Sequence, residues 1–123
     1  MPIIGAHALL YTPEAEAARA VLRDVLELPF VDAGEGWLIF ELPPAEVGVH
    51  PTGMRPGDPA ADRPHHELSF MCDDIAETIA DLRARGVEIR GEPTDQGYGI
   101  VVTMVLPGDL HVGLYEPRHP TAI

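Results

Sequence analysis

The sequence predicts an α+β domain in which one β-α-β-β-β unit is written twice. Helix-like and strand-like apolar spacings follow each other in the same order on both sides of a Pro-rich stretch at 51–64. The two halves also lie over one another, His7 falling opposite Glu67 and Val47-Gly48-Val49-His50 opposite Val112-Gly113-Leu114-Tyr115. The chain of 123 residues reads as a single domain, with module one at 5–50, a linker at 51–64 and module two at 65–117.

The elements follow in order. Residues 5–11 read as a short strand, and Thr12-Pro13-Glu14 then opens a helix with Thr at the N-cap, Pro at the first helical position and an acid in the first turn. Ala18, Val21, Leu22 and Val25 make its buried stripe, and Pro29 ends it. Strands are expected at 30–32, 37–42 and 46–50, separated by Gly34, Gly36 and Pro43-Pro44. The stretch 51–64 holds four prolines and two glycines, a linker rather than a core element. Module two repeats the order: strand 67–71, a helix capped by Asp73-Asp74 with Ile75, Ile79 and Leu82 inward, a stop at Gly86, then strands at 87–90, 99–106 and 110–116.

Composition excludes several classes of function. All 8 basic residues are arginine, so Schiff-base chemistry and a P-loop lysine are unavailable. The single cysteine, Cys72, rules out an internal disulfide framework and a cysteine-based zinc cluster. A net charge of -12 repels a phosphate backbone, so no nucleic-acid partner is expected. No apolar run approaches the roughly 20 residues needed to span a bilayer, and Met1-Pro2-Ile3-Ile4 lacks the basic start of a signal peptide. The expectation is a cytoplasmic protein with no membrane partner.

Three segments, His7 with the following Tyr-Thr-Pro-Glu-Ala, Glu67-Leu-Ser-Phe-Met-Cys-Asp-Asp-Ile with its helix ending Arg-Ala-Arg-Gly-Val, and Leu106-Pro-Gly-Asp-Leu-His-Val-Gly-Leu-Tyr-Glu-Pro117, occur in this order and spacing. In this the chain resembles the vicinal oxygen chelate superfamily of glyoxalases, bleomycin-resistance proteins and extradiol dioxygenases. The resemblance implies two βαβββ modules forming a curved mixed sheet around a cavity, often completed by a second chain, so a homodimer is expected. Metal-dependent members hold a divalent ion (Zn, Ni, Mn or Fe) at four positions, which here are His7, Gly48, Glu67 and Gly113. Two of these are glycines, and two ligands leave most of a hard cation's shell to water.

Strand alternation assigns the faces. Ala8, Leu10, Val47, Val49, Leu68, Phe70, Val112 and Leu114 belong under the helices. The cavity side then carries His7, Leu9, Gly48, His50, His65, Glu67, Ser69, His111, Gly113 and Tyr115, which includes four of the six histidines. His50 or His111 could supply a displaced ligand beside His7 and Glu67. Equally, these histidines serve as hydrogen-bonding or stacking groups, and the glycines widen the cavity for a flat ligand.

Other side chains have weaker claims. Ser69 near Glu67 and His7 lacks the Gly-x-Ser-x-Gly elbow of a nucleophile. Cys72, at a helix start, reads as a small core residue. Trp37, Tyr98 and Tyr115 suit the wall of an aromatic pocket, with Glu41 on the Trp37 side of its strand. The tail from Pro117 reads as a surface extension, from which His119 could reach a partner chain.

Two function classes stay open. One is a small-molecule binding protein that sequesters a hydrophobic or aromatic compound, such as an antibiotic or natural product, without transforming it and without a cofactor. Its ligand would touch Trp37, Glu41, Gly48, His50, Ser69, Tyr98, His111, Gly113 and Tyr115. The other is a divalent-metal-dependent enzyme, glyoxalase-like or extradiol-dioxygenase-like, using His7, Glu67 and a displaced histidine, with Glu41 for proton transfer.

Overall fold

The structure is a computed structural model that describes residues 3–53 and 63–123. Most of the linker, residues 54–62, therefore lies outside the described residues. Two helices and six strands follow in the order α1 (Ala15–Asp24), β1 (Phe30–Asp32), β2 (Leu38–Phe40), β3 (Ser69–Met71), α2 (Ile75–Ala84), β4 (Glu88–Asp95), β5 (Gly99–Leu106) and β6 (Leu110–Pro117). The β1–β2 hairpin forms one sheet, and the other runs β3-β6-β5-β4. That second sheet is mixed, since β3 joins β6 in parallel while β6–β5 and β5–β4 are antiparallel.

Module two contains all five elements that its sequence calls for. The Asp74 side chain accepts the Glu77 N–H at 3.0 Å and caps α2. Ile75, Ile79 and Leu82 are all buried, one stripe on one helix face. They pack with Val87 and Ile89 near β4, Val102, Met104 and Leu106 of β5, and Val112 and Leu114 of β6. Met104, Leu106 and Val112 are the most enclosed side chains, as expected for the two central strands.

Module one departs from the expected order. The helix and the β1–β2 pair form, but residues 5–11 and 46–50 enter no ladder. Val47 and Val49, expected under the helices, are 89% and 92% exposed. Alternation marks which side chains share a face, but a strand also needs a neighbour for its backbone N–H and C=O groups. Among the described residues no strand takes that place. Leu10 still packs against the core, as do Val21 and Leu22 of α1 and Val25 at its C-cap.

Helix α1 also starts differently from its expected N-cap. The residue at the cap is Glu14, without a side-chain cap bond. Thr12 accepts the Glu14 N–H at 3.2 Å and donates its own hydroxyl to the Pro107 carbonyl at 2.7 Å. It thus clips module one to the β5–β6 turn. That turn accepts the approach because Gly108, at φ +84°, has no side chain where the Thr12 hydroxyl lies. Replacing Thr12 with Val keeps the shape and removes the partly buried bond, so a loss of about 1 kcal/mol is expected in a urea melt.

Candidate functional site

Opposite the helices, the four-stranded sheet presents Ser69, Glu88, Arg90, Val101, Thr103, Val105, His111, Gly113 and Tyr115. The pairing explains this list. Ser69 lies opposite Gly113, and Gly113 opposite Thr103, so each row crosses the sheet on one face. Gly113 also has a local reason. A Cβ there would meet the Ser69 side chain, its Cβ at 3.0 Å, so the missing side chain makes room for the serine. Gly48 differs, since a Cβ would meet only His50, at the ordinary distance of 3.6 Å.

At one end of this face four rings come together from three parts of the chain. His50 meets Tyr98 edge-on at 6.0 Å, and Tyr98 meets Tyr115 at 6.0 Å and 62°. His119 then stacks on Tyr115 at 5.8 Å and 29°. The Tyr115 ring lies across β5 at Gly99, where any Cβ would strike it. Burial pushes the Tyr115 phenol above its ordinary pKa, and Tyr98 and Glu46 push it the same way. Glu46 closes the row: its carboxylate is 3.7 Å from His119 Nε2 and accepts the Ala122 N–H at 2.8 Å.

A polar cluster occupies the other end. Arg90 Nη1 is 2.9 Å from His111 Nε2 and 3.1 Å from Asp109 Oδ1, while His111 Nε2 is 3.0 Å from the same Oδ1. One ring nitrogen serves one of these bonds at a time. Protonated, it donates to Asp109; bare, it accepts from Arg90. The His111 bond first, and then Arg90, hold the Asp109 carboxyl below the usual carboxylate range. Between this cluster and α1 lies a cleft of about 370 Å³ lined by Val21, Val25, Arg85, Arg90 and Leu106. Cys72 is half-buried, and burial is the main cause of its raised thiol pKa, the direction of an unreactive sulfur.

The sequence candidates therefore separate into groups. His50, Tyr98 and Tyr115 meet in the ring row, and Ser69 and Gly113 meet in the sheet. His111 is engaged by Arg90 and Asp109, and Glu67 is 3.6 Å from His65. His7 is exposed on the 5–11 segment. Trp37 and Glu41 belong to the β1–β2 hairpin, where Arg19 of α1 lies 5.3 Å over the Trp37 ring. Glu46, Arg90 and Asp109 were not singled out by sequence. Glu46 pairs with His119 far along the chain, and the strand register brings Arg90 to His111 and Asp109. The tail is no simple extension either, since His119 folds back on Tyr115 of the same chain.

A divalent metal needs several donors aimed at one point. Among the described residues no group of three or more His, Cys, Asp or Glu side chains is so arranged. The guanidinium of Arg90 against His111 Nε2 further opposes a cation there. As arranged within this chain, His7, Glu67, His50 and His111 do not form a ligand set.

The sequence model of the Glyoxalase/Bleomycin resistance protein/Dioxygenase superfamily matches residues 5–117. The chain belongs to that superfamily. Solved structures agree on the fold. Lactoylglutathione lyase from Agrobacterium tumefaciens is similar at a TM-score of 0.62 and 18% identity, over 94% of this chain and 96% of that one. TnmS3, an antibiotic binding protein from Streptomyces sp. CB03234, is similar at 0.60 and 22%, over 94% and 99%. A glyoxalase/bleomycin resistance protein/dioxygenase from Nocardioides is similar at 0.60 and 18%, over 100% and 89%. No curated protein matches in sequence. The superfamily's α+β fold, with its mixed sheet, is thus the fold of this chain, and no helix among the described residues is long and apolar enough to cross a membrane.

Proposed function

We propose that this chain binds a small hydrophobic or aromatic molecule, such as an antibiotic or other natural product, and holds it in the cytoplasm without transforming it. The observation that carries this reading is the row His50–Tyr98–Tyr115–His119 on the open sheet face. His50, Tyr98 and Tyr115 each offer a face or an edge to a flat guest, the His119 ring already rests on Tyr115 at the end of the row, and such pairs are worth about 0.5–1.5 kcal/mol beyond area burial. The fold accommodates the reading, since an antibiotic binding protein shares it, as does a lactoylglutathione lyase.

The test is a titration of a panel of aromatic antibiotics, followed by tyrosine fluorescence, with and without EDTA. The expected result is saturable binding that EDTA leaves unchanged, with the compound recovered intact. Metal that survives dialysis, disappears in His7→Ala and supports turnover would overturn the reading in favour of the metal-dependent enzyme.

The functional unit in this reading is a homodimer. Leu9, Val31, Trp37, Val47 and Val49 are exposed in one chain, a large apolar area for a monomer to leave in water. A second copy can cover them and give 5–11 and 46–50 neighbouring strands. Light scattering at micromolar concentration is expected to return twice the mass of one chain; a single-chain mass would count against it.

A further inference from the structure

The C-terminal tail offers a clue to what the ring row accepts. The His119 ring lies on Tyr115 with Nε2 3.7 Å from Glu46 Oε2. A flat ring with a nitrogen aimed at a carboxylate already occupies the end of the row. Glu46 itself is well enclosed, its side chain 19% exposed, against 46% for Glu67 and 70% for Asp109 in their own pairs. Asp109 faces the permanent cation Arg90, whereas the ion-pair partner of Glu46 among the described residues is an imidazole. A sheltered carboxylate opposite a weak base gains from a stronger cation. The negative faces of Tyr98 and Tyr115 favour the same charge.

The tail is also held in a way that permits exchange. Its base is fixed, with the Arg118 N–H on the Tyr98 carbonyl at 2.9 Å and the Arg118 side chain on Asp95 at 3.1 Å. Beyond Arg118, the polar contacts described between the tail and the rest of the chain both run to Glu46, from His119 and from the Ala122 N–H. Thr121 and Ile123 border an open hollow of about 680 Å³ beside Met71 and Glu116, so the tail end is not wedged into the core.

We infer that the slot between Tyr115 and Glu46 selects a planar ring bearing a protonated nitrogen, and that His119 fills this slot until such a ligand displaces it. The inference rests on the binding reading above and narrows its ligand class. Glu46 confers the charge preference. His119 is an internal competitor, so apparent affinity falls by the fraction of molecules in which it is seated.

The test compares two flat probes of equal ring size on the full chain at neutral pH, the cation 9-aminoacridine and the anion anthracene-9-carboxylate. The wild type is expected to prefer the cation by about tenfold or more. Glu46→Gln retains an oxygen for the Ala122 N–H and removes the charge, so most of that preference should disappear. His119→Ala should tighten cation binding several-fold. A further readout needs no variant: the His119 ring resonances of the wild type should shift toward those of a solvent-exposed imidazole as 9-aminoacridine saturates. Equal affinity for both probes, an unchanged preference in Glu46→Gln, weaker cation binding in His119→Ala or immobile His119 resonances would each overturn the inference and leave the binding function standing. If the wild type binds neither probe nor any of the aromatic panel, both fall together.

Discussion

Met104→Ala is expected to cost about 2–5 kcal/mol of folding stability, the range for truncating a fully enclosed aliphatic side chain. Met104 is 0% exposed, on the central strand β5 with β4 on one side and β6 on the other. It belongs to the cluster that joins Ile75, Ile79 and Leu82 of α2 to the sheet. Truncation to Ala loses the transfer energy of three heavy atoms and leaves a void that two hydrogen-bonded neighbours cannot close. At roughly 3–6 °C per kcal/mol for a chain of this size, a fall of about 6–30 °C in Tm is expected by calorimetry. Met104→Leu, close in volume, should cost less than about 1.5 kcal/mol. Equal losses in the two variants would mean that side-chain shape, rather than the void, sets the cost.

That core was largely legible in the sequence because each cue had a local cause. The i, i+4, i+7 stripe of Ile75, Ile79 and Leu82 is a property of one helix, and Asp74 caps it through a bond three residues away. The β5–β6 hairpin needs only its own turn. Segments 5–11 and 46–50 carried the same alternation and form no ladder, because a ladder needs a second strand that no local pattern encodes. The site divides along the same line. His50, Tyr98 and Tyr115 were recognisable as candidates one at a time, yet their row depends on Gly99 letting the Tyr115 ring cross β5. Arg90 reads as an ordinary surface charge until the register sets it against His111 and Asp109. Glu46 and His119 pair across a sequence gap that includes the whole of module two.

Gly99→Ala should damage stability and ligand binding together, whereas Gly48→Ala should damage neither. A Cβ at Gly99 would lie 2.7 Å from the Glu116 carbonyl oxygen and strike the Tyr115 ring, with Cδ2 at 3.1 Å. The carbonyl belongs to the paired backbone of β6, since Ile100 lies opposite Glu116, so it cannot turn aside without breaking the ladder. The ring can turn, but only by leaving the row with Tyr98 and His119. Overpacking of this kind costs about 1–3 kcal/mol. The loss of one or two stacking contacts should weaken binding of an aromatic ligand by roughly tenfold, since each tenfold corresponds to about 1.4 kcal/mol. Gly113→Ala is intermediate, because the obstructing group includes the Ser69 hydroxyl, the rotatable end of a side chain. At Gly48 a methyl would meet only the His50 ring at 3.6 Å, an ordinary contact. Thermal melts and ligand titrations on the three variants therefore rank the glycines by what opposes each added methyl. If Gly99→Ala bound ligand as tightly as the wild type, the Tyr115 face would not be where the ligand rests.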